Sequence, residues 1–190
     1  MTGQRDFFSK VIELLEKAHI PYMLSGSLAS SYLGQPRATN DIDIVIDPTE
    51  SQLTSFISFL GSRFYVSSDA AFQALKDRTM FNIIDNDSAW KADLIIKKTG
   101  TYNRREFDRR QSGELMGVNI LLVSPEDAIL SKLWWSSETQ SPAQMKDALG
   151  VMAVQWKSLD WKYLETWADK LQLSDSLKKL KSQAKAIVKG

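Results

Sequence analysis

The sequence contains no cysteine and a single histidine, His19, in 190 residues. The absence of cysteine excludes a disulfide framework, a thiol nucleophile, an iron–sulfur cluster and a zinc ion held by cysteine. One histidine leaves no cluster of imidazoles for a transition metal. A catalytic metal in this chain must therefore have oxygen ligands, which favours Mg²⁺ or Mn²⁺.

An excess of one charge and long apolar runs are also missing. Lys and Arg number 24 against 23 Asp and Glu, a net charge of +1, so the broad basic surface of a general nucleic-acid-binding protein is not expected. No stretch approaches the about 18 apolar residues that cross a bilayer, and residues 1–8 lack the apolar core of a signal peptide. We expect a cytoplasmic protein with no membrane segment.

The secondary-structure signals change character at about residue 123. Residues 1–123 combine amphipathic helices with short β-branched strands, and residues 124–190 show helical signals only, beginning with the Ser-Pro-Glu-Asp start at Ser124. Strands are predicted at 22–25, 41–47, 80–84, 90–97 and 117–123, and a short edge strand is predicted at 64–66. The pattern predicts an α+β fold, in which a mixed sheet flanked by helices precedes an all-helical C-terminal part.

Two acids, Asp41 and Asp43, lie in a predicted strand whose other face is apolar. Since side chains alternate along a strand, both carboxylates point to the same side, roughly 7 Å apart. Like charges on one face repel unless a cation lies between them, and a divalent ion held by carboxylates and phosphates is one solution. An exposed edge strand with a solvated acidic face is the alternative. A second acid pair, Asp85 and Asp87, lies among turn residues and is expected to have a backbone role.

Two further features accompany this acid pair. Gly26 and Ser27 lie between a predicted strand and a predicted helix, where a glycine allows a phosphate to approach the backbone and the helix start presents free N–H groups. Asp93 is a single acid inside another apolar strand, and it can supply a third carboxylate to a two-metal site. An ordinary strand-to-helix turn would explain Gly26 and Ser27 equally well.

In this order, the segments Leu24-Ser25-Gly26-Ser27 and Asp41-Ile42-Asp43-Ile44, followed by Asp93 on a distant strand, resemble the signature of the nucleotidyltransferase superfamily related to DNA polymerase β. The likeness covers the first half of the chain. It implies a nucleotidyltransferase-like core over residues 1–123 and a helical subdomain over residues 124–190.

The second half resembles the minimal nucleotidyltransferases of the abortive-infection toxin type and their uncharacterised bacterial relatives. The resemblance rests on the acid-led helix start at Ser124, on Lys132 before Leu133 and on Lys146 before Asp147. It implies that Lys132 and Asp147 are needed for activity. Members of that family usually have a second acid three residues after this aspartate, and this sequence has Gly150 at that position. A solvated helix lysine and a surface acid are the alternatives for Lys132 and Asp147.

The resemblance implies transfer of a nucleoside monophosphate from an NTP such as ATP to an acceptor hydroxyl, with release of pyrophosphate. Asp41 and Asp43 would bind two Mg²⁺ (or Mn²⁺) ions and Asp93 one of them. Gly26 and Ser27 would hold the β- and γ-phosphates. Arg37, in the loop before the acidic strand, would either contact a phosphate or remain solvent-exposed.

The acceptor and the partners stay open at this level. A tRNA, a protein hydroxyl and a small molecule such as an aminoglycoside-like or lincosamide-like antibiotic all suit a chain of this size, and a homo-oligomer is compatible with it. A different class of function is a non-catalytic or partner-dependent interaction protein, for example one half of a toxin–antitoxin pair.

Overall fold

The computed structural model of the protein describes residues 2–189. Within that range the helices are α1 Thr2–Lys17, α2 Gly26–Leu33, α3 Glu50–Leu60, α4 Ser68–Asp77, α5 Thr101–Asp108, α6 Pro125–Thr139, α7 Pro142–Gln155, α8 Trp161–Lys170 and α9 Ser174–Lys189. The strands are β1 Tyr22–Ser25, β2 Ile42–Ile46, β3 Phe64–Tyr65, β4 Met80–Asp85, β5 Lys91–Ile96, β6 Gln111–Leu115 and β7 Val118–Leu122.

The seven strands form one mixed sheet in the order β3-β4-β5-β2-β1-β7-β6. The pairs β2–β5 and β1–β7 are parallel, and the other neighbours are antiparallel. The α+β class and the mixed sheet predicted from the sequence are confirmed. Strand β6 was not predicted, because its residues Gln111–Leu115 are polar and largely exposed and carry no apolar alternation.

The chain forms two compact units. Of the described residues, the first unit comprises 2–25 and 40–122 and contains the whole sheet, and the second comprises 26–39 and 123–189. Helix α2 and the loop after it, which the sequence pattern placed in the first part, thus belong to the second unit. The reason is that α2 packs on α6 and α7.

The central strands of the first unit have two unlike faces. Along β2 and β5 every second residue is fully buried, and these apolar residues form the core together with the buried sides of α1 and α3: Ile42, Ile44, Ile46, Ala92, Leu94 and Ile96. The alternate residues, Asp43 and Val45 on β2 and Asp93 and Ile95 on β5, are only half-buried. One face of the sheet therefore holds the core, and the other presents the acids.

The hairpin between β4 and β5 explains the second acid pair. Asp85 is 1% exposed. Its carboxylate accepts hydrogen bonds from the backbone N–H groups of Asp87 (2.9 Å) and Ser88 (3.2 Å) and from the guanidinium of Arg63 at 2.9 and 3.0 Å. This arrangement is the local turn bonding typical of aspartate. Asp85 therefore has the backbone-bonding role that the sequence predicted for this pair.

In the second unit, helices α2 and α7 approach each other closely at two glycines. A Cβ atom on Gly34 would lie 2.5 Å from the backbone nitrogen of Val151, and one on Gly150 would lie 3.2 Å from the backbone nitrogen of Gln35. A side chain at position 150, where the toxin-type pattern has an acid, would make a tight contact with Gln35, and the glycine avoids that contact.

None of the helices in residues 2–189 combines the length and the apolar character that crossing a bilayer requires.

The Gly34 contact gives a first prediction. Gly34→Ala should lower the free energy of unfolding by about 1–3 kcal/mol, because the added methyl group forces the backbones of α2 and α7 apart. Urea unfolding followed by circular dichroism measures the change. Gly3→Ala is the control, since a Cβ there meets only the indole of Trp90. A Gly34→Ala variant as stable as this control would contradict the close approach.

Asp85 gives a second prediction. Burial acts to raise its pKa, but the hydrogen bonds from the turn N–H groups and Arg63 outweigh burial and hold the pKa below its ordinary value. A carboxyl whose pKa is depressed by folding contributes stability above its unfolded pKa, about 3.9, and loses it as the pH falls through the lower folded value. Asp85→Asn should therefore lower the free energy of unfolding at pH 7 and flatten its decline between about pH 5 and pH 2.

Urea titrations at a series of pH values measure this dependence, with Asp87→Asn in the same turn as the control. An Asp85→Asn variant that kept the wild-type pH profile would contradict the assignment.

Candidate active site

The acids predicted for a metal site are partly assembled in the first unit. Asp43 on β2 and Asp93 on β5 are direct neighbours across two parallel strands. Residues opposite each other on such strands point to the same side of the sheet, so the two carboxylates share one face. Both side chains are half-buried. The register of β2 and β5 fixes the positions of the two residues, and neither residue lies in a loop.

Asp41 lies one residue outside β2, which begins at Ile42, and it is exposed. The sequence pattern placed it inside the strand. Among residues 2–189 there is no group of three or more His, Cys, Asp or Glu side chains positioned to hold a metal ion. The structure thus brings Asp43 and Asp93 together but does not form a cage of three acids.

The acid pair belongs to a polar row that crosses four strands. The register places Ser25 of β1 opposite Asp43, Asp43 beside Asp93, and Asp93 opposite Asn82 of β4. The Asn82 side-chain amide donates a hydrogen bond to Oδ1 of Asp93. Lys91 on the same strand as Asp93 approaches the same oxygen, with its Nζ at 3.5 Å.

The sequence pattern assigned no role to Ser25, although Ser25 lies within the signature, and it did not single out Asn82 or Lys91. A signal for Lys91 was available, because it lies two residues from Asp93 on one strand face. The pairing of Ser25 and Asn82 with the acids depends on the sheet register, which a single sequence does not reveal.

The donor set of the pair fits a hard divalent cation. Mg²⁺ keeps several waters and is usually held by one or two carboxylates together with substrate phosphates, so a complete protein cage is not required. Two carboxylates side by side on an apolar strand pair also repel each other, and a cation between them relieves that repulsion. Asp43 and Asp93 therefore suit Mg²⁺ or Mn²⁺.

A second cluster, the Ser27 cluster, consists of Ser27, Arg37, Lys132 and Asp147 and lies within the second unit. The guanidinium of Arg37 contacts Asp147 through two nitrogens, Nε to Oδ1 at 2.8 Å and Nη2 to Oδ2 at 3.0 Å. The ammonium of Lys132 is 3.0 Å from Asp147 Oδ2. Both cations also reach the Ser27 hydroxyl, at 2.7 Å from Arg37 and 3.3 Å from Lys132.

Burial separates these residues from an ordinary surface. The side chains of Lys132 and Asp147 are each 6% exposed, whereas that of Arg37 is 39% exposed. Burial acts to raise the pKa of Asp147, but hydrogen bonds from Arg37 and Lys132 outweigh it and hold this pKa below the ordinary value. The solvated lysine and the surface acid that the sequence left as alternatives are not what the structure shows. Arg37 is exposed, as one of its two alternatives expected, but its guanidinium also contacts Asp147 and Ser27.

The backbone at the start of α2 explains the glycine at position 26. Gly26 has φ +64°, a left-handed conformation that glycine adopts without strain. The carbonyl of Gly26 accepts a hydrogen bond from the Ser30 hydroxyl at 2.9 Å. Ser27 follows in the first turn of α2, where backbone N–H groups have no partner within the helix. The turn, the helix start and two cations thus meet at one hydroxyl, and a helix start of this kind can bind an anion.

Against known proteins, no family model and no curated protein matches the chain. Solved structures do match. An antigenic nucleotidyltransferase-like protein from Paracoccidioides brasiliensis is 18% identical, with a TM-score of 0.61, over 98% of this chain and 94% of that one.

Two further matches are antibiotic-modifying or resistance proteins. The lincosamide antibiotic adenylyltransferase LnuA, solved with lincomycin bound, is 13% identical with a TM-score of 0.53, over 81% of this chain and 98% of that one. The antibiotic-resistance factor ANT(2'')-Ia is 15% identical with a TM-score of 0.54, over 97% of this chain and 96% of that one. At these identities the likeness concerns the fold, and the chain has the fold of the nucleotidyltransferases.

Proposed function

We propose that the protein is a metal-dependent nucleotidyltransferase, which moves a nucleoside monophosphate from an NTP to an acceptor hydroxyl and releases pyrophosphate. The observation that carries the proposal is the Asp43–Asp93 pair on adjacent parallel strands of a sheet with the nucleotidyltransferase fold. A fold alone does not define an activity. The activity is inferred from the paired carboxylates, which can bind a divalent cation.

Asp43 and Asp93, with Asp41 beside them, are the residues we assign to Mg²⁺ or Mn²⁺. When bound, such an ion neutralises phosphate charge and lowers the pKa of an acceptor hydroxyl. The sheet contributes the fixed spacing of the ligands, because β2 and β5 are held in register along five residue pairs. Rigid placement of charge is the main catalytic contribution that a protein makes to phosphoryl and nucleotidyl transfer.

The Ser27 cluster is the part that we assign to the phosphates of the nucleotide, together with Gly26. Arg37 and Lys132 carry two positive charges against the one negative charge of Asp147, so the cluster keeps a net positive charge for an anion. Asp147 contacts Arg37 and Lys132, and we treat it as a positioning residue. It fixes both cations beside the Ser27 hydroxyl and compensates the burial of Lys132.

For the acceptor we propose a small hydroxylated molecule. The net charge of +1 argues against a large nucleic-acid footprint. Among the solved structures with this fold, LnuA carries lincomycin and is an adenylyltransferase for lincosamide antibiotics. Nucleic-acid and protein acceptors are outcomes that the experiment distinguishes.

The experiment is a transfer screen. The protein is incubated with each α-³²P-labelled NTP and Mg²⁺ and with lincosamides, aminoglycosides, bulk tRNA or no added acceptor, and pyrophosphate release and label transfer are followed. Label on a small molecule supports the full proposal. Label on tRNA or on the protein itself overturns the acceptor only. No turnover with any NTP under any of these conditions contradicts the proposed activity.

Asp43→Asn gives the prediction for the carboxylate pair. It should reduce Mg²⁺-dependent NTP turnover at least about 10³-fold, because the variant loses the charge of a proposed metal ligand while keeping the shape of the side chain. The matched control is Asp87→Asn, the same change at an exposed turn residue. Wild-type turnover by Asp43→Asn would show that this carboxylate is not a ligand.

Arg37→Ala gives the prediction for the Ser27 cluster. Removing one charge-assisted contact to a phosphate should raise the KM for NTP about tenfold, with a much smaller change in kcat. Arg104→Ala, an exposed arginine of α5, controls for the loss of one positive charge. An unchanged KM in Arg37→Ala, or an equal rise in the control, would count against phosphate binding by the cluster.

A further inference from the structure

Asp93 has two polar neighbours of different charge. Asn82, directly opposite on β4, donates its side-chain amide to Oδ1 of Asp93. Lys91 approaches the same oxygen at 3.5 Å. Among residues 2–189 both hydrogen bonds to the Asp93 carboxylate go to Oδ1, so Oδ2 takes part in neither. The Asp93 side chain is 18% exposed and that of Lys91 is 48% exposed.

We propose that Asn82 and Lys91 act in opposite directions on the cation affinity of Asp93: Asn82 is a positioning residue that favours the bound ion, and Lys91 is a competing cation. This inference rests on the proposed function and deepens it, because it assigns roles to two residues that neither the sequence motif nor the comparisons single out.

The amide of Asn82 is neutral. It can therefore keep its hydrogen bond to Oδ1 while a divalent cation binds the other oxygen of the same carboxylate. The contact restricts the rotation of the Asp93 side chain, and it is made by a neighbour fixed in the strand register. An amide in this place reduces the entropy that Asp93 loses when it binds an ion, as supporting groups of metal ligands generally do.

The ammonium of Lys91 carries the same sign as the ion. Its contact with Asp93 is long and its side chain is half in solvent, so the pair contributes little to stability and is easily broken. A divalent cation that binds Asp93 is repelled by Lys91 at short range and must displace it. Lys91 thus screens the Asp43–Asp93 repulsion in the ion-free protein and weakens ion binding.

The test measures Mn²⁺ binding directly, by electron paramagnetic resonance, in the presence of an NTP analogue with a non-transferable α,β-methylene group. Asn82→Ala should weaken Mn²⁺ binding about fivefold, the size expected for one hydrogen bond. Lys91→Ala should tighten it about threefold, as expected for removing one partly solvated like charge.

Two control variants match these changes. Met80→Ala alters the same strand and the same exposed face as Asn82, opposite Ile95 and not Asp93. Lys76→Ala removes one positive charge from the exposed side of α4. Both should bind Mn²⁺ as the wild type does. A loss of folding alone would weaken binding in any of the variants and could not produce the tighter binding expected of Lys91→Ala.

The inference is overturned if Asn82→Ala binds Mn²⁺ as tightly as the wild type does. It is also overturned if Lys91→Ala binds Mn²⁺ no more tightly than the wild type does. In either case the proposed function stands as long as the wild-type protein itself binds Mn²⁺. A wild-type protein that binds neither Mn²⁺ nor the analogue overturns both. The predicted pair of opposite shifts, with both controls unchanged, supports the inference.

Discussion

The placement of Asp43 beside Asp93 on one face of the sheet is the constraint on which the rest of the site depends. The parallel register of β2 and β5 places two carboxylates side by side, and the apolar side chains that alternate with them bury the opposite face in the core. The pair cannot separate without a slip of the strands, and a slip would turn the acids into the core. Under the proposed function, the sheet thus holds two carboxylates where a divalent cation would be stabilised.

In the Ser27 cluster, by contrast, charges of opposite sign are in contact. Lys132 is buried, and a buried ammonium needs a counterion, which Asp147 provides together with its contact to Arg37. The two cations are therefore held by one carboxylate, and the excess positive charge is what the proposed function assigns to the phosphates. The position of the cluster at the start of α2 adds the unpaired N–H groups of a helix end.

Local chemistry predicted much of this molecule, and long-range pairing accounts for the rest. The apolar alternation around Asp43 and Asp93 indicated both strands, and the proline after Ser124 marked the start of α6. The polar edge strand β6 carried no such signal. Arg37 and Asp147 lie far apart in the sequence. The sequence placed both residues in the candidate site, but it did not predict that they contact each other. The partnership of Asn82 with Asp93 needed the register of β4 and β5.

Isothermal titration calorimetry of the wild-type protein with NTPs, in the presence of Mg²⁺ and in its absence, tests whether the acid pair acts through a cation. The expected result is binding that requires the cation, because the Asp43–Asp93 carboxylates repel a triphosphate when no metal ion lies between them. Binding of equal affinity with and without Mg²⁺, or no binding at concentrations at which the protein is folded, would contradict it.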